Sequence, residues 1–230
     1  RSSERVSIRN VTNRDGLLWL GGPAAWPVLA AASGVPADAA RWSAGESRTL
    51  AIGATRVRIR RIDDVCVPAF EIVHPIESQL TLYDALCEGG AAHGLRDAGF
   101  RAHNVLRIDS GVPLWGVDIA ADCDPAEAGL SHLVAADKGD FIGRAALVKS
   151  RPAARRLALL EIKANGERTI DPWGGEVVVA DGRDVGLVTS GAFASSLRGS
   201  IAFARIAADA ATPGKHLEVE ILGQRRAAVV

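Results

Sequence analysis

Apolar and polar residues in the first part of the chain follow two periods, one typical of strands and one typical of helices. Short apolar or alternating runs predict strands at Val6–Ile8, Leu17–Leu20, Arg48–Ile52, Thr55–Ile62 and Phe70–Val73. The dipeptide Gly53-Ala54 lies between two of these runs, and a two-residue link containing glycine predicts a hairpin.

Helical spacing occupies the intervals between the predicted strands. Four helices are predicted, and their ranges are Ala24–Ser33, Ile76–His93, Arg101–Ile108 and Phe141–Ser150. Gly34 and Gly94 follow the first two at the position where glycine commonly ends a helix, and Asp140 is a suitable N-cap for the last. The order strand, helix, hairpin, strand, helix predicts an α+β fold, with an antiparallel sheet that carries helices on one face.

The pattern changes after Pro152. Short strands separated by Gly, Pro and Asp turns are predicted at Leu157–Ile162, Glu176–Val179, Val185–Thr189, Ser200–Ile206, Leu217–Ile221 and Arg226–Val230. Strands of this length and spacing predict a small all-β barrel. We therefore predict two domains, the first at residues 1–150 and the second at residues 151–230.

Composition excludes several classes of function. Apolar residues make up 48% of the chain and charged residues 23%, as in an ordinary soluble globular protein. Lys+Arg and Asp+Glu number 27 each, so neither a nucleic acid nor an anionic membrane is expected as the main partner. Three cysteines without a CxxC spacing indicate neither a metal site nor a disulfide framework, and they favour a reducing, cytoplasmic location.

Four motifs, in the same order, resemble those of one protein family. They are LWLGGP at residues 18–23, AGFRAHNVLRIDSGVPLWGVDI at 98–119, PAEAGL with DKGDFIGRAAL at 125–130 and 137–147, and GGE with VGLVTSG at 174–176 and 185–191. The family is that of the glycine-cleavage T-protein, or aminomethyltransferase, together with the folate-binding C-terminal domains of dimethylglycine and sarcosine dehydrogenases.

The resemblance implies a fold of three parts around a central folate site, at which a one-carbon unit passes from an amine donor to tetrahydrofolate. The matching motifs begin about a third of the way into the family's domain, so residues 1–150 correspond to its second part. No residue here matches the family's catalytic Asp, and we assign no catalytic residue.

Four residues of the second motif are candidates for binding folate. Arg107 resembles the family arginine that lines the folate site, where a guanidinium can grip a carboxylate or a pterin carbonyl. The alternative is a structural ion pair with Asp109 or Glu71. Asp109 either accepts pterin N–H bonds or orients Arg107. Trp115 either stacks on a flat ring or fills a core. Asp118 matches a family aspartate that either binds the ligand or caps a turn.

Residues 62–72 depart most from the family. A glutamate that holds the pterin edge in the family aligns with Val67, which cannot accept N–H bonds, and Asp63 or Asp64 is available to replace it through a shifted loop. His103 and Asn104 stand where the family has Arg and Asp. These changes leave a weakened folate site as an alternative.

Two functions from different classes therefore remain open. The first is a tetrahydrofolate-dependent aminomethyl or methyl transferase, which would use folate and a methylated amine or an aminomethyl donor, with a lipoyl carrier protein or a flavin dehydrogenase domain as partner. The second is a non-catalytic folate-binding or assembly module, or the C-terminal fragment of a flavin-dependent dehydrogenase. The folate hypothesis requires open space beside Arg107 and Trp115.

Overall fold

A computed structural model describes residues 5–36, 42–63, 65, 67–149, 154–163 and 170–230. The chain forms two compact units, Arg1–Asp97 and Ala98–Val230. The first contains an α+β layer and the second a closed barrel with one long helix on its wall. The division of the chain into domains at residues 1–150 and 151–230 stays a prediction, and residues 150–153, where it falls, lie outside the described residues.

A four-stranded antiparallel sheet forms the base of the first unit. Its strands are β1 (Asp15–Gly21), β2 (Ser47–Ile52), β3 (Thr55–Ile62) and β4 (Ala69–Pro75), arranged in the order β1-β4-β3-β2. The hairpin between β2 and β3 turns at Gly53, whose φ of +56° is the left-handed conformation that glycine adopts easily. This arrangement confirms the predicted antiparallel sheet and its hairpin.

One face of this sheet carries two helices, α1 (Ala25–Ser33) and α2 (Gln79–Gly90). Val57 and Ile59 of β3 are buried beneath the helices, whereas the arginines that alternate with them are exposed. Alternation of this kind places every second side chain of a strand on the same face. The helices therefore lie on one face of the sheet, as the sequence predicts.

The ends of both helices confirm the glycine signals. Gly34 and Gly94 adopt left-handed φ values of 68° and 71°, after α1 and after the short 3-10 turn that follows α2.

The predicted strand at Val6–Ile8 is wrong, because residues 5–10 are exposed and have no regular structure. Three apolar or small residues without a pairing strand are too few to hold an extended segment on a core.

A closed six-stranded barrel forms most of the second unit. Its strands are β5 (Arg155–Ile162), β6 (Val177–Ala180), β7 (Arg183–Ala194), β8 (Gly199–Ala207), β9 (His216–Ile221) and β10 (Gln224–Val229). They pair in the order β10-β5-β8-β7-β6-β9. Leu160, Val219 and Ile206 in its interior are completely buried. The predicted barrel is confirmed, with β7 longer than expected.

In the described part of the second unit, two α-helices precede the barrel strands. The longer, α3 (Phe100–Asp109), agrees with the predicted helix and packs against β7 and β8. The shorter, α4 (Arg144–Lys149), begins later than the predicted Phe141–Ser150. The reason is Gly143, whose φ of +96° is not helical, so no helix runs from Phe141 with Asp140 as its N-cap.

We expect the single tyrosine of the chain to titrate at unusually high pH. Tyr83 on α2 donates a hydrogen bond to the Asp97 carboxylate, at 3.1 and 3.0 Å from its two oxygens, and this bond raises the pKa of Tyr83 to about 12. The pKa is higher in the folded chain, so the bond stabilises the fold below pH ~10 and is lost as the pH rises towards 12.

The rise in absorbance at 295 nm with pH measures the ionisation of this tyrosine, because the tryptophans do not titrate. Circular dichroism at each pH shows whether the chain is still folded. Asp97→Asn should move the midpoint down towards pH ~10, the ordinary value for tyrosine. Asp84→Asn on the same helix is the control and should leave the midpoint unchanged. A midpoint near 10 in the unaltered, folded chain would contradict this assignment.

Candidate functional site

The candidate site is built on the last turn of α3. Ile108 is completely buried and packs with Ala192, Ile201 and Phe203 of the barrel wall. The burial of Ile108 fixes the rotation of the helix, and Arg107 is carried inward beside it, with only 3% of its surface exposed. A guanidinium buried this deeply requires hydrogen-bond partners.

Arg107 finds these partners within the chain. Its Nε donates to Asn104 Oδ1 at 2.9 Å, its Nη1 donates to the Val112 carbonyl at 3.3 Å, and Nη1 also forms an ion pair with Asp118 Oδ2. The guanidinium carbon lies 5.8 Å from the centre of the Phe203 ring. Arg107 is therefore held inside the protein, and its ion-pair partner is Asp118 and not the predicted Asp109 or Glu71. In the part of the chain that the structure describes, the open space that the folate hypothesis requires is thus not found beside the buried guanidinium, and of the two residues only Trp115 faces solvent.

Asp118 collects hydrogen bonds from three further groups. Its Oδ2 accepts the Leu114 N–H at 2.8 Å, and its Oδ1 accepts the hydroxyls of Thr189 at 2.5 Å and Ser190 at 2.7 Å. The aspartate is 1% exposed. A buried carboxylate with one cation and three donors is well satisfied, which is the condition under which a buried ion pair is tolerated.

The Arg107–Asp118 ion pair fixes the turn that carries Trp115. Asp118 holds the amide of Leu114, and the Leu114 carbonyl accepts the backbone N–H of Asp118 at 2.9 Å. Gly116 has a φ of +85° and donates its N–H to the Ile119 carbonyl at 2.7 Å. Trp115 is 69% exposed at the tip of this turn, so the turn presents an indole to solvent from a rigid base.

The remaining predicted residues do not join the ion pair. Asp109 is half-buried, and its Oδ1 accepts the Ser196 hydroxyl at 2.5 Å. Asp64 lies outside the described residues, and so does its neighbour Cys66. The structure therefore brings Arg107 and Asp118 together and places Asp109 and Trp115 apart from that pair. The folate-binding role of all five residues stays a prediction.

A second exposed indole lies on the loop before β6. Trp173 is 73% exposed, and the guanidinium carbon of Arg101 lies 4.8 Å from its ring centre. The Glu176 carboxylate accepts the N–H groups of Trp173 and Gly174, both at 2.8 Å. The sequence pattern did not single out Trp173, although Glu176, directly after the Gly174-Gly175 pair, is a usable signal of a closed loop.

One short segment of β7 anchors both indole-bearing loops. Thr189 and Ser190 hold Asp118 beneath Trp115. A Cβ atom on Gly174 would come within 2.8 Å of the Thr189 carbonyl oxygen, and one on Gly191 within 2.5 Å of the Pro172 carbonyl oxygen. The TSG motif at residues 189–191 thus supplies two hydroxyls to Asp118. Because Gly174 and Gly191 have no side chains, the backbone of the Trp173 loop can lie directly against β7.

Ionisable groups elsewhere in this unit stabilise its loops. Arg205 donates to Glu127 Oε1 at 2.7 and 3.1 Å, and this contact raises the pKa of the guanidinium. Burial, aided by Glu127, raises the pKa of the Cys123 thiol, which disfavours the reactive thiolate.

In the described part of the chain, no cluster of three or more His, Cys, Asp or Glu residues could hold a metal ion.

None of the helices that the structure describes combines the length and the apolar character that crossing a bilayer requires.

Comparison with known proteins gives the same order of parts. Residues 1–138 match the family model of the GCVT N-terminal domain, and residues 155–230 match that of the glycine cleavage T-protein C-terminal barrel domain. The chain is 32% identical to human mitochondrial dimethylglycine dehydrogenase over 98% of its own length and 26% of that protein. It is 33% identical to an aminomethyltransferase of Saccharopolyspora erythraea, over 95% of this chain and 59% of that one.

A solved structure is also similar. The aminomethyltransferase T of the Bartonella henselae glycine cleavage system superposes with a TM-score of 0.80 at 27% identity, over 94% of this chain and 58% of that chain. The chain thus spans between about a quarter and three fifths of the length of these relatives. From its two matched family models and the shared sheet and barrel, the chain belongs to the glycine-cleavage T-protein family.

Proposed function

We propose that this chain is the folate-binding part of a tetrahydrofolate-dependent one-carbon transferase that moves an aminomethyl or methyl group. The observation that carries the proposal is the exposed Trp115 indole on a turn braced by a buried ion pair. An aromatic ring kept in solvent by a rigid base is a preformed stacking surface, and such preorganisation lowers the entropic cost of binding. The membership of the T-protein family supports a transferase.

The residues around α3 are better suited to stacking against a flat ring than to binding that ring through hydrogen bonds from Arg107. The Arg107 side chain is buried, and its donors are taken up by Asn104, the Val112 carbonyl and Asp118, so Arg107 is a positioning residue in this proposal. Trp115 supplies the stacking face. Asp109 gives one carboxylate oxygen to Ser196 and keeps acceptor capacity for N–H groups, because a carboxylate has about four acceptor sites.

Tetrahydrofolate would supply the nitrogen that receives the one-carbon unit. The part of this chain would be to hold the ring still beside the donor, which is a proximity effect, and to exclude water from that place. The bracing of Leu114 by Asp118 serves the first task, because it limits the motion of the turn below the indole.

The donor and the partners belong to the same proposal. The amine donor would be a methylated amine or an aminomethyl group, delivered by a lipoyl carrier protein or by a flavin dehydrogenase domain. Similarity both to aminomethyltransferases and to dimethylglycine dehydrogenases supports either source. The cytoplasmic location stays a prediction.

A second candidate function is a non-catalytic module of the same fold. Two observations favour it. Arg107 is committed to Asp118, and Val67, where the family carries a glutamate, offers no acceptor to a ligand. Such a module would keep the Arg107–Asp118 ion pair and the turn that carries Trp115, and would use them for assembly with other domains. It would bind folate weakly or not at all.

Titration calorimetry with 5-formyltetrahydrofolate separates the two functions. We expect the chain to bind, and Trp115→Ala to weaken binding about two- to tenfold, which corresponds to the ~0.5–1.5 kcal/mol of an aromatic stacking contact. Trp173→Ala is the matched control, because it removes an equally exposed indole from another loop and should leave the affinity unchanged.

Trp115→Phe should retain most of the affinity, since it keeps an aromatic face. If titrating the unaltered chain with 5-formyltetrahydrofolate gave no binding heat, the transferase would be ruled out and the non-catalytic module would remain. Equal losses in Trp115→Ala and Trp173→Ala would show that Trp115 is not the stacking surface.

A further inference from the structure

A cleft of about 320 Å³ opens among the loops between α3 and the barrel strands. Its lining comes from two stretches of chain, 124–136 and 141–147, and contains Ala126, Val134, Ala136, Phe141 and Leu147 beside Asp124, Ser131 and Arg144. This volume lies at the lower end of the range of small-molecule sites, and a mostly apolar wall with a few polar groups is their usual lining. None of these residues belongs to the Trp115 turn.

Arg144 gives the cleft its chemical character. Arg144 is half-buried, and among the residues that the structure describes its side chain has no ion-pair or hydrogen-bond partner. A partly buried guanidinium is a strong donor to a carboxylate, which it can bind with two parallel bonds. The arginine is thus available to an anion that enters the cleft.

A second cation adds to the positive charge at the same place. The Lys138 ammonium lies 4.9 Å from the centre of the Phe141 ring, and Phe141 lines the cleft. The lining also contains one acid, Asp124, whose Oδ1 accepts the Glu127 N–H at 2.8 Å. The two cations Arg144 and Lys138 outweigh the single negative charge of Asp124, so the apolar wall is accompanied by net positive charge.

We propose that this cleft binds a small organic carboxylate, with its apolar body against Val134, Phe141 and Leu147 and its carboxylate on Arg144. A neutral ligand would leave the guanidinium without a counter-charge, and a bare inorganic anion would leave the apolar wall exposed. The amphipathic carboxylate satisfies both parts of the lining. The site is separate from the proposed folate surface, and neither depends on the other.

The probe is 2-naphthoate, whose fluorescence reports binding, and its neutral counterpart is 2-naphthalenemethanol. We expect 2-naphthoate to bind with a dissociation constant on the order of 0.1 mM, and the alcohol to bind at least about tenfold more weakly. Arg144→Gln should weaken binding of the carboxylate about tenfold without changing binding of the alcohol, whereas Arg144→Lys should retain part of the affinity.

Two further variants keep the test decisive. Arg198→Gln removes an exposed arginine from a barrel turn and should have no effect. Phe141→Ala should weaken binding of both probes, since it removes apolar wall. Thermal melts of each variant establish that it is folded. Absence of naphthoate binding, or an affinity that Arg144→Gln leaves unchanged in a folded protein, would overturn the proposal.

Discussion

Replacing Arg107 with alanine will destabilise the unit Ala98–Val230 by about 3–5 kcal/mol, the usual result of breaking a buried ion pair from one side. The Asp118 carboxylate, 1% exposed, would keep its three hydrogen bonds but lose the cation with which it is paired. Asn104 and the Val112 carbonyl would lose a donor as well. Urea unfolding followed by circular dichroism measures the change in the free energy of unfolding.

The matched control lies on the same helix. Arg101→Ala also removes an arginine from α3, but this side chain is exposed and stacks on the exposed Trp173 ring. Its cost should stay near ~0.5–1 kcal/mol, the scale of an exposed cation–π contact. A loss of less than about 1 kcal/mol in Arg107→Ala would show that the pair does not brace the fold.

A double-mutant cycle identifies the partner. Asp118→Ala should be about as costly as Arg107→Ala, and the double variant should cost clearly less than the sum, because each single change leaves the other charge buried alone. Additive losses would mean that Arg107 and Asp118 act independently. The same variants, titrated with 5-formyltetrahydrofolate, separate loss of stability from loss of binding.

Replacing Phe70 with alanine will destabilise the unit Arg1–Asp97 by about 3–5 kcal/mol. Phe70 is completely buried in β4, and its ring centre lies 4.6 Å from that of Trp26 and 6.0 Å from that of Trp42, edge to face in both cases. Alanine would leave a cavity between α1 and the sheet and would remove two aromatic contacts.

Phe100→Ala is the control for this change, because Phe100 is 75% exposed and should cost no more than ~0.5 kcal/mol. Urea unfolding should be followed by tryptophan fluorescence and by circular dichroism together. Transitions that do not coincide would show that the two units unfold separately. A cost for Phe70→Ala below about 1 kcal/mol would contradict the central position of this ring in the core.

Arg107 shows that a sequence motif can identify an important residue without revealing what that residue does. The resemblance of residues 98–119 to a family motif pointed to Arg107 and Asp118, and both are the most buried charged groups of the second unit's candidate site. The resemblance suggested contact with folate, but the structure commits the guanidinium to Asp118. Trp115 lies on the turn that this ion pair fixes, and the titrations of Trp115→Ala and Trp173→Ala test whether its indole receives the ring.

Local patterning by itself determined most of the helices and strands of this protein. Alternation placed Val57 and Ile59 on the buried face of β3, and Gly34 and Gly94 marked helix ends, because backbone conformation and side-chain direction depend on neighbours in sequence. Only the tertiary structure decided which groups meet. Thr189 and Ser190 reach Asp118 across 71 and 72 residues, and this contact follows from the closure of the barrel and the docking of α3, which no local period encodes.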